Sequence, residues 1–509
     1  MNGVTVARVL MEALLRAGTP RMFGVPGSGA SDDLTAAAGN AGLPFVLTHG
    51  ESAACLMAAV TGELLGVPGT ALAGRDSGAA SAVNGVAQAW LDRSPMILIT
   101  RRPGDAAAAL ATHRRLEHAA LFAPITKASL TIDPASASHW IAHAAQLAMK
   151  EPRGPVHVEL AGDVAGRPTI PVATTVRPPA APPPAPEILD AAARVIAGAS
   201  RPVIVAGLGC RGVQAARWLR AFAEARPAPV LVTPKARGML PDPHPLLLGV
   251  FTGIKEHAVL ERADLLIAIG LDEIEVIPGA WGWKTPVLSV APWTSTFPCV
   301  PTGGNVVGDI TLVLEELAPR LRDRERADWD VAELHRLRRD AGPRLTAVAG
   351  GLAPHRVIEI ARELTPPGTL ATVDAGSALA AATMSWQALA PGEFLIGNRF
   401  TMGFALPAAI AARLAHPDRR VLAFTAAGGL TLAVAELETA ARLALPIAVI
   451  VLDGGARPDL TALARGFGVT AFSAGSEETL RRAVLEALAL DGPALIDAGA
   501  SGAGAQNQV

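Results

Sequence analysis

Tyrosine is absent from this 509-residue chain, lysine occurs five times and cysteine three times. The first two scarcities read as the codon bias of a GC-rich genome. They still remove tyrosine acid chemistry everywhere and lysine Schiff-base chemistry from most of the chain. Cys55, Cys210 and Cys299 lie far apart, with no CxxC pair and no Cys/His ligand cluster. That argues against a disulfide framework or a zinc site and predicts reduced thiols in a cytoplasmic protein. An excess of one charge is also missing: 44 Lys+Arg against 46 Asp+Glu leave −2. Nucleic acid and anionic membranes therefore find no basic footprint. No apolar run reaches the roughly 20 residues that span a bilayer; the strongest, 446–452, has the length of a strand.

What is present is a large apolar fraction, 50% of residues, in a chain too long for one ordinary core. Val6, Val9, Leu10, Ala13 and Leu14 form the stripe of an amphipathic helix over about 5–17, not a signal peptide. Strand patterns at 44–48, 69–74, 95–100 and 155–160 alternate with helices at 51–65 and 78–92. Such alternation predicts a parallel sheet covered on both faces. Residues 176–187 read VRPPAAPPPAPE, a linker composition. A second unit carries strands at 202–206 and 265–270, a charged helical stretch spans about 313–340, and a third unit places strands near 369–374, 420–425, 446–452 and 493–497. The fold class expected is α/β with three doubly wound parallel-sheet domains, at 1–165, 188–330 and 353–498. Linkers at 166–187 and 331–352 join them, and a disordered tail covers 499–509.

Individual motifs say little. Gly207-Leu208-Gly209-Cys210-Arg211-Gly212 has the GxGxxG form after a strand and before a helix, which suits FAD or ADP. The next strand ends in Pro234-Lys235-Ala236-Arg237 without a ribose-binding acid, so a tight strand-to-helix turn is the better reading of the motif. Glu51 opens the 51–65 helix, where a carboxylate suits the helix dipole. Asp76 or Ser77 reads as an N-cap, Ala426 to Gly429 as a strand-end glycine turn opening a helix over 430–443, and Asp453 as a turn residue. His113/His118 and His139/His143 read as helix-surface pairs, since no HExxH accompanies them; no GxSxG elbow occurs.

The order of the motifs is more telling. Phe23-Gly24-Val25-Pro26-Gly27, Glu51-Ser52-Ala53-Ala54, residues 89–100, Asp374-Ala375-Gly376-Ser377, residues 402–409 and residues 435–440 resemble, in sequence, the thiamine diphosphate (ThDP) enzymes of the acetolactate synthase, pyruvate oxidase and benzoylformate decarboxylase type. The resemblance implies a pyrimidine-binding, a central and a pyrophosphate-binding domain. It implies decarboxylation or carboligation of a 2-oxo acid, and a homodimer or homotetramer with sites at the subunit interface. It places Glu51 on the cofactor-activating glutamate and Met402 on the apolar wedge that bends the cofactor. Pro26, Gly27, Gly376, Ser377, Gly428, Gly429 and Asp453 fall on cofactor-binding positions.

Departures from the family's pattern are equally specific. The Mg²⁺-binding GDG turn is Ala426-Ala427-Gly428 here, so the Asp ligand is Ala427. The Asn-Asn that follows is Asp453-Gly454, so the Asn ligand is Gly454. The family's helix and loop after that point are missing. Arg114-Arg115 replaces Gln-Glu, and Gly50 replaces the His before the glutamate. Three expectations stand: a ThDP-dependent lyase or carboligase with an altered metal site, a non-catalytic or repurposed member of the fold, or a nucleotide-binding module working through the central domain.

Overall fold

The computed structural model describes residues 4–26, 30–102, 116–176, 181, 183–251, 258–276, 284–297, 304–322, 327–340, 352–398, 401–453 and 458–499. Gly27, Arg114, Arg115, His113, Cys299, Gly454 and most of the 499–509 tail lie outside these residues.

Three parallel six-stranded sheets form, as the alternating pattern predicts. The first holds β1 (Met22–Gly24), β2 (Phe45–Leu47), β3 (Gly69–Leu72), β4 (Met96–Arg102), β5 (Ser129–Thr131) and β6 (Pro155–Ala161), in the order β2-β1-β3-β4-β6-β5. The second holds β7 (Pro202–Ala206), β8 (Val230–Val232), β9 (Leu247–Val250), β10 (Leu265–Ile269), β11 (Val287–Ala291) and β12 (Asn305–Val307), in the order β12-β11-β10-β7-β8-β9. The third holds β13 (Leu370–Val373), β14 (Phe394–Ile396), β15 (Val421–Thr425), β16 (Ile447–Val451), β17 (Thr470–Ser473) and β18 (Ala494–Asp497). Its order, β14-β13-β15-β16-β18-β17, repeats that of the first sheet. The two outer domains thus share one topology without a fixed-period sequence repeat.

Hydrophobic burial dictates these elements. β7, β10, β13, β15 and β16 are buried at every position, the signature of strands covered on both faces. The Val6–Arg16 helix buries its predicted stripe, and the Thr5 hydroxyl caps it by accepting from the Arg8 amide. Among the described residues, no helix is long and apolar enough to cross a membrane.

The first and third domains share one continuous core, in which Ala58, Val86, Leu406, Ile410 and Leu430 meet. The Glu51–Leu65 helix lies against both the Ser77–Leu91 helix and the Ala405–Ala415 helix of the third domain. Close approach requires glycine at Gly85, where a Cβ would come within 2.5 Å of the Ser52 carbonyl and the Cys55 Cβ.

Two expectations need correction. The helix expected over 430–443 is two helices, Ala427–Leu432 and Glu436–Arg442. The chain turns between them because Ala433 and Glu436 close short bonds to Leu430 and Ala433. His118 is not on a helix surface but 2% exposed, since its helix packs against the Ser77–Leu91 helix, β5 and β6, and the ring bonds Thr100. His139 and His143 are exposed as expected.

Candidate active-site crevice

In doubly wound sheets, ligands bind beyond the carboxyl ends of strands where the strand order reverses. That point is β1/β3 in the first domain and β13/β15 in the third. Most of the sequence-selected residues cluster at these two places.

In the first domain, Pro26 is exposed just beyond β1. Glu51 is half-buried at the first position of its helix, whose N-cap is Gly50. Its Oε1 points at the turn after β3: a Cβ built on Gly78 would lie 2.6 Å from it and one on Gly74 3.6 Å. The side chain therefore rests against a glycine-lined surface. Asp76 is the N-cap of the next helix by position, with φ of 44°, but its Oδ1 accepts from the Leu116 amide instead of capping.

In the third domain, the unifying residue is Asp374, at the end of β13 and 1% exposed. Its Oδ1 accepts from the amides of Phe404 (2.7 Å) and Ala405 (3.1 Å), and its Oδ2 from the Thr425 hydroxyl at 2.5 Å. Burial raises its pKa, a rise offset in part by these donors. The carboxylate ties the Met402 turn to the ends of β13 and β15. Gly429 has to be glycine beside it, because a Cβ there would stand 2.3 Å from Oδ2. Gly376 adopts a φ of 90°, which turns the chain into the Ser377–Ser385 helix; both Gly376 and Ser377 are exposed. Met402 is 45% exposed and lies over Gly428, with its terminal methyl 3.2 Å from a Cβ built there. In the sequence Asp374 stands out only as part of a motif; an acid at the end of an otherwise apolar strand is the signal of its role.

The fit to a magnesium-bound diphosphate can be tested on this geometry. Mg²⁺ requires near-octahedral oxygen ligands. Ala427 offers a methyl group, and Gly454 has no side chain. Asp453, half-buried, accepts the Ala427 amide on Oδ1 at 2.6 Å. A protein carboxylate thus already holds the backbone N–H that opens the glycine turn. No group of three or more His, Cys, Asp or Glu suited to a metal ion exists among the described residues. Neither Ala427 nor Gly454 supplies a side-chain oxygen to a cation.

The glycine loop of the central domain is also filled from within. Gly207 donates to the Ile269 carbonyl, Gly209 to Gly270, Cys210 to Gly207 and Arg211 to Leu208. The Leu208 amide donates to Glu275 Oε2 at 2.9 Å, and the same carboxylate accepts from the Asp272 amide and the Thr233 hydroxyl. Burial pushes the Glu275 pKa up to about 7, against the pull of those donors. A carboxyl whose folded pKa is raised lends stability below its unfolded value and loses it as pH rises through the folded one. Wild-type protein should therefore lose about 2–4 kcal/mol from this group between pH 4.5 and 8. Glu275→Gln should flatten that slope, and denaturant midpoints measured across the range check it.

All three domains meet at one buried ionic cluster. Lys235 Nζ reaches Glu63 (2.9 Å), Asp92 (3.4 Å) and the Ile396 carbonyl (2.7 Å). Arg211 Nη1 lies 3.2 Å from Glu63, and Arg93 pairs with Asp272 at 2.8 Å. No sequence motif reveals this cluster, because its members are scattered over more than 170 positions.

Comparison with known proteins agrees with this architecture. Residues 4–121 match the thiamine pyrophosphate enzyme N-terminal TPP binding domain, 189–317 the central domain and 374–456 the C-terminal TPP binding domain. The probable acetolactate synthase large subunit of Methanocaldococcus jannaschii is 28% identical over 96% of this chain and 91% of its own length. The acetolactate synthase of Bacillus subtilis is 26% identical over 96% of this chain and 92% of its own length. Among solved structures, the thiamine diphosphate-dependent 4-hydroxybenzoylformate decarboxylase of Rhodococcus jostii RHA1 has the same fold, with a TM-score of 0.85 at 22% identity, over 97% of this chain and 99% of that one. With all three domains matched in order, and with two sheets of identical topology flanking a central one along the sequence, the chain belongs to the thiamine pyrophosphate enzyme family.

Proposed function

We propose that this chain is a repurposed member of the acetolactate synthase-like branch, in which ordinary Mg-ThDP anchoring has been given up while the Glu51 half-site is kept. The observation that carries this reading is the Asp453 carboxylate on the Ala427 amide. A diphosphate placed there meets a like charge without a divalent cation between them, and in a half-buried crevice that repulsion is weakly screened. Glu51 against Gly74 and Gly78, and Met402 over Gly428, support a retained pocket for an aromatic or heteroaromatic ligand.

Calorimetry with ThDP and Mg²⁺ tests the reading. Wild-type protein should give no saturable binding tighter than about 1 mM. Ala427→Asp/Gly454→Asn should gain magnesium-dependent binding by at least about tenfold, as a carboxylate and an amide oxygen return to the ligand set. Micromolar Mg-ThDP binding by the wild type would instead favour the second reading, an active 2-oxo acid decarboxylase or carboligase with Asp453 as a shifted ligand. Retention of both Glu51 and Met402 is what favours that alternative.

The central loop's amides, occupied from Gly207 to Arg211, support the further reading that this domain takes neither FAD nor ADP. The exposed Met402 and Leu432 side chains support a homodimer or homotetramer. Near-neutral charge supports a protein without nucleic-acid or membrane partners, and three scattered cysteines support a cytoplasmic one.

A further inference from the structure

The helix that presents Glu51 does not cap itself. Its N-cap is Gly50, extended at φ −145° and ψ 145°, with no side-chain bond to the first turn. Backbone donors at a helix entrance need an acceptor when removed from water. At this entrance the acceptor comes from the other outer domain. The His49 amide donates to Glu436 Oε1 at 2.9 Å, and the Gly50 amide bonds the same carboxylate. Glu436 is 2% exposed, and its Oε2 accepts the Thr439 hydroxyl at 2.7 Å. Two flanking bonds close the seam. His49 Nε2 lies 2.7 Å from Glu438, and Arg442 donates to the Leu47 carbonyl at 2.7 Å. The Glu436–Arg442 helix thus grips the whole turn between β2 and Glu51.

That same helix follows the Ala427–Leu432 helix after three residues, and Leu432 packs against Gly403 beside Met402. One continuous stretch of the third domain, residues 427–442, therefore borders its own half-site and holds the entrance to Glu51.

We propose that Glu436 is the positioning residue of Glu51: the third domain's carboxylate caps the first domain's helix, so that the direction of the Glu51 side chain depends on how the two domains are docked. This rests on the reading of Glu51 as the working carboxylate, but it is tested independently of any ligand. A glutamate at the third position of the helix would serve as a local cap; an acceptor supplied from 387 residues away makes the same kind of bond report domain docking.

The experiment uses the full chain as wild type, Glu436→Gln, Glu436→Ala and Thr439→Val. Hydrogen exchange of the peptide spanning 48–54 is followed by mass spectrometry. The ¹³Cδ resonance of Glu51, assigned with Glu51→Gln, reports its environment. Exchange in Glu436→Ala should rise at least about tenfold at 48–54 with the β10 and β11 peptides unchanged, since one lost buried bond is worth about that factor. The Glu51 resonance should move in Glu436→Ala and return most of the way in Glu436→Gln, whose amide oxygen still accepts. Where Glu436→Ala does not fold, Thr439→Val should show a smaller shift in the same direction. An unmoved Glu51 resonance in both Glu436→Gln and Thr439→Val, or in folded Glu436→Ala, overturns the proposal. If the resonance moves yet Glu51→Gln leaves the Mg-ThDP binding gained by Ala427→Asp/Gly454→Asn intact, the positioning stands and the functional role given to Glu51 falls.

Discussion

Lys235→Met should destabilise the protein by about 3–5 kcal/mol, the cost of leaving a buried charge without its partner. Lys235 is the cation at the centre of the three-domain junction, with its side chain 2% exposed. Burial alone would raise the Glu63 pKa, but Lys235 and then Arg211 outweigh it and hold the carboxyl below its usual range. Asp92 goes the other way: burial raises it, Lys235 pulls it down, and Glu63 pushes it up again. The geometry agrees, since the ammonium sits 2.9 Å from Glu63 and 3.4 Å from Asp92. Removing the cation leaves Glu63 with Arg211 alone and Asp92 without a cation in a low-dielectric junction, and Asp92 above all must bind a proton to remain buried. The sign follows from linkage: the variant's native state then holds more protons than its unfolded state, so its stability falls as pH rises. Acidification from pH 8 towards pH 5 should partly rescue Lys235→Met. Adding Asp92→Asn should recover part of the loss at neutral pH, because one of the stranded charges is gone. Denaturant midpoints for the two variants at both pH values check this, and a pH-independent loss below about 1 kcal/mol would place the cluster in the same class as a surface pair.

Asp374→Ala should cost about 3 kcal/mol and loosen the Met402 turn. The carboxylate takes two buried backbone N–H groups and one hydroxyl, and an unsatisfied buried donor costs about 1–3 kcal/mol. Asp374→Asn should cost roughly half as much, since its amide oxygen can still accept from the Phe404 and Ala405 amides. The contact with Gly429 adds a sharper test. A Cβ at Gly429 is forbidden by Asp374 Oδ2 at 2.3 Å, so Gly429→Ala alone should be damaging. In Asp374→Ala the nearest obstacle is gone and only the Thr425 hydroxyl, at 2.8 Å and released from its Asp374 acceptor, still crowds that Cβ, so the double variant should be more stable than the sum of the two single losses predicts, by about 1 kcal/mol or more. Strict additivity would show that the two residues do not share the space the geometry assigns them.

Legibility in the sequence differs from one element to the next. Burial on both faces makes parallel strands continuous apolar runs, so 202–206, 421–425 and 447–451 are visible as strands from the residues alone. Local rules do not register a helix break made by a few short backbone bonds, so the pattern over 430–443 reads as one helix. His118 reads as exposed for a related reason: its own segment looks like a surface helix, and only packing against β5, β6 and the Ser77–Leu91 helix buries it. The GxGxxG motif is ambiguous because it specifies a backbone shape, and the sequence cannot say whether a phosphate or the chain's own Glu275 takes the Leu208 amide.

The α/β class, the three units, the motifs that carry Glu51 and Met402, and the absence of side-chain oxygens at Ala427 and Gly454 are legible in the residues alone. Each of these is a matter of residue identity or of short-range periodicity, which the chain carries locally. The tertiary structure alone decided that Asp453 occupies the Ala427 amide, that Glu275 fills the central glycine loop, that Lys235 joins three domains and that Glu436 caps the Glu51 helix. Those are pairings of buried donors and charges with partners 26 to 387 residues away. The need for a partner follows from the cost of burying a polar group, but which partner meets it is settled only when the sheets and helices pack.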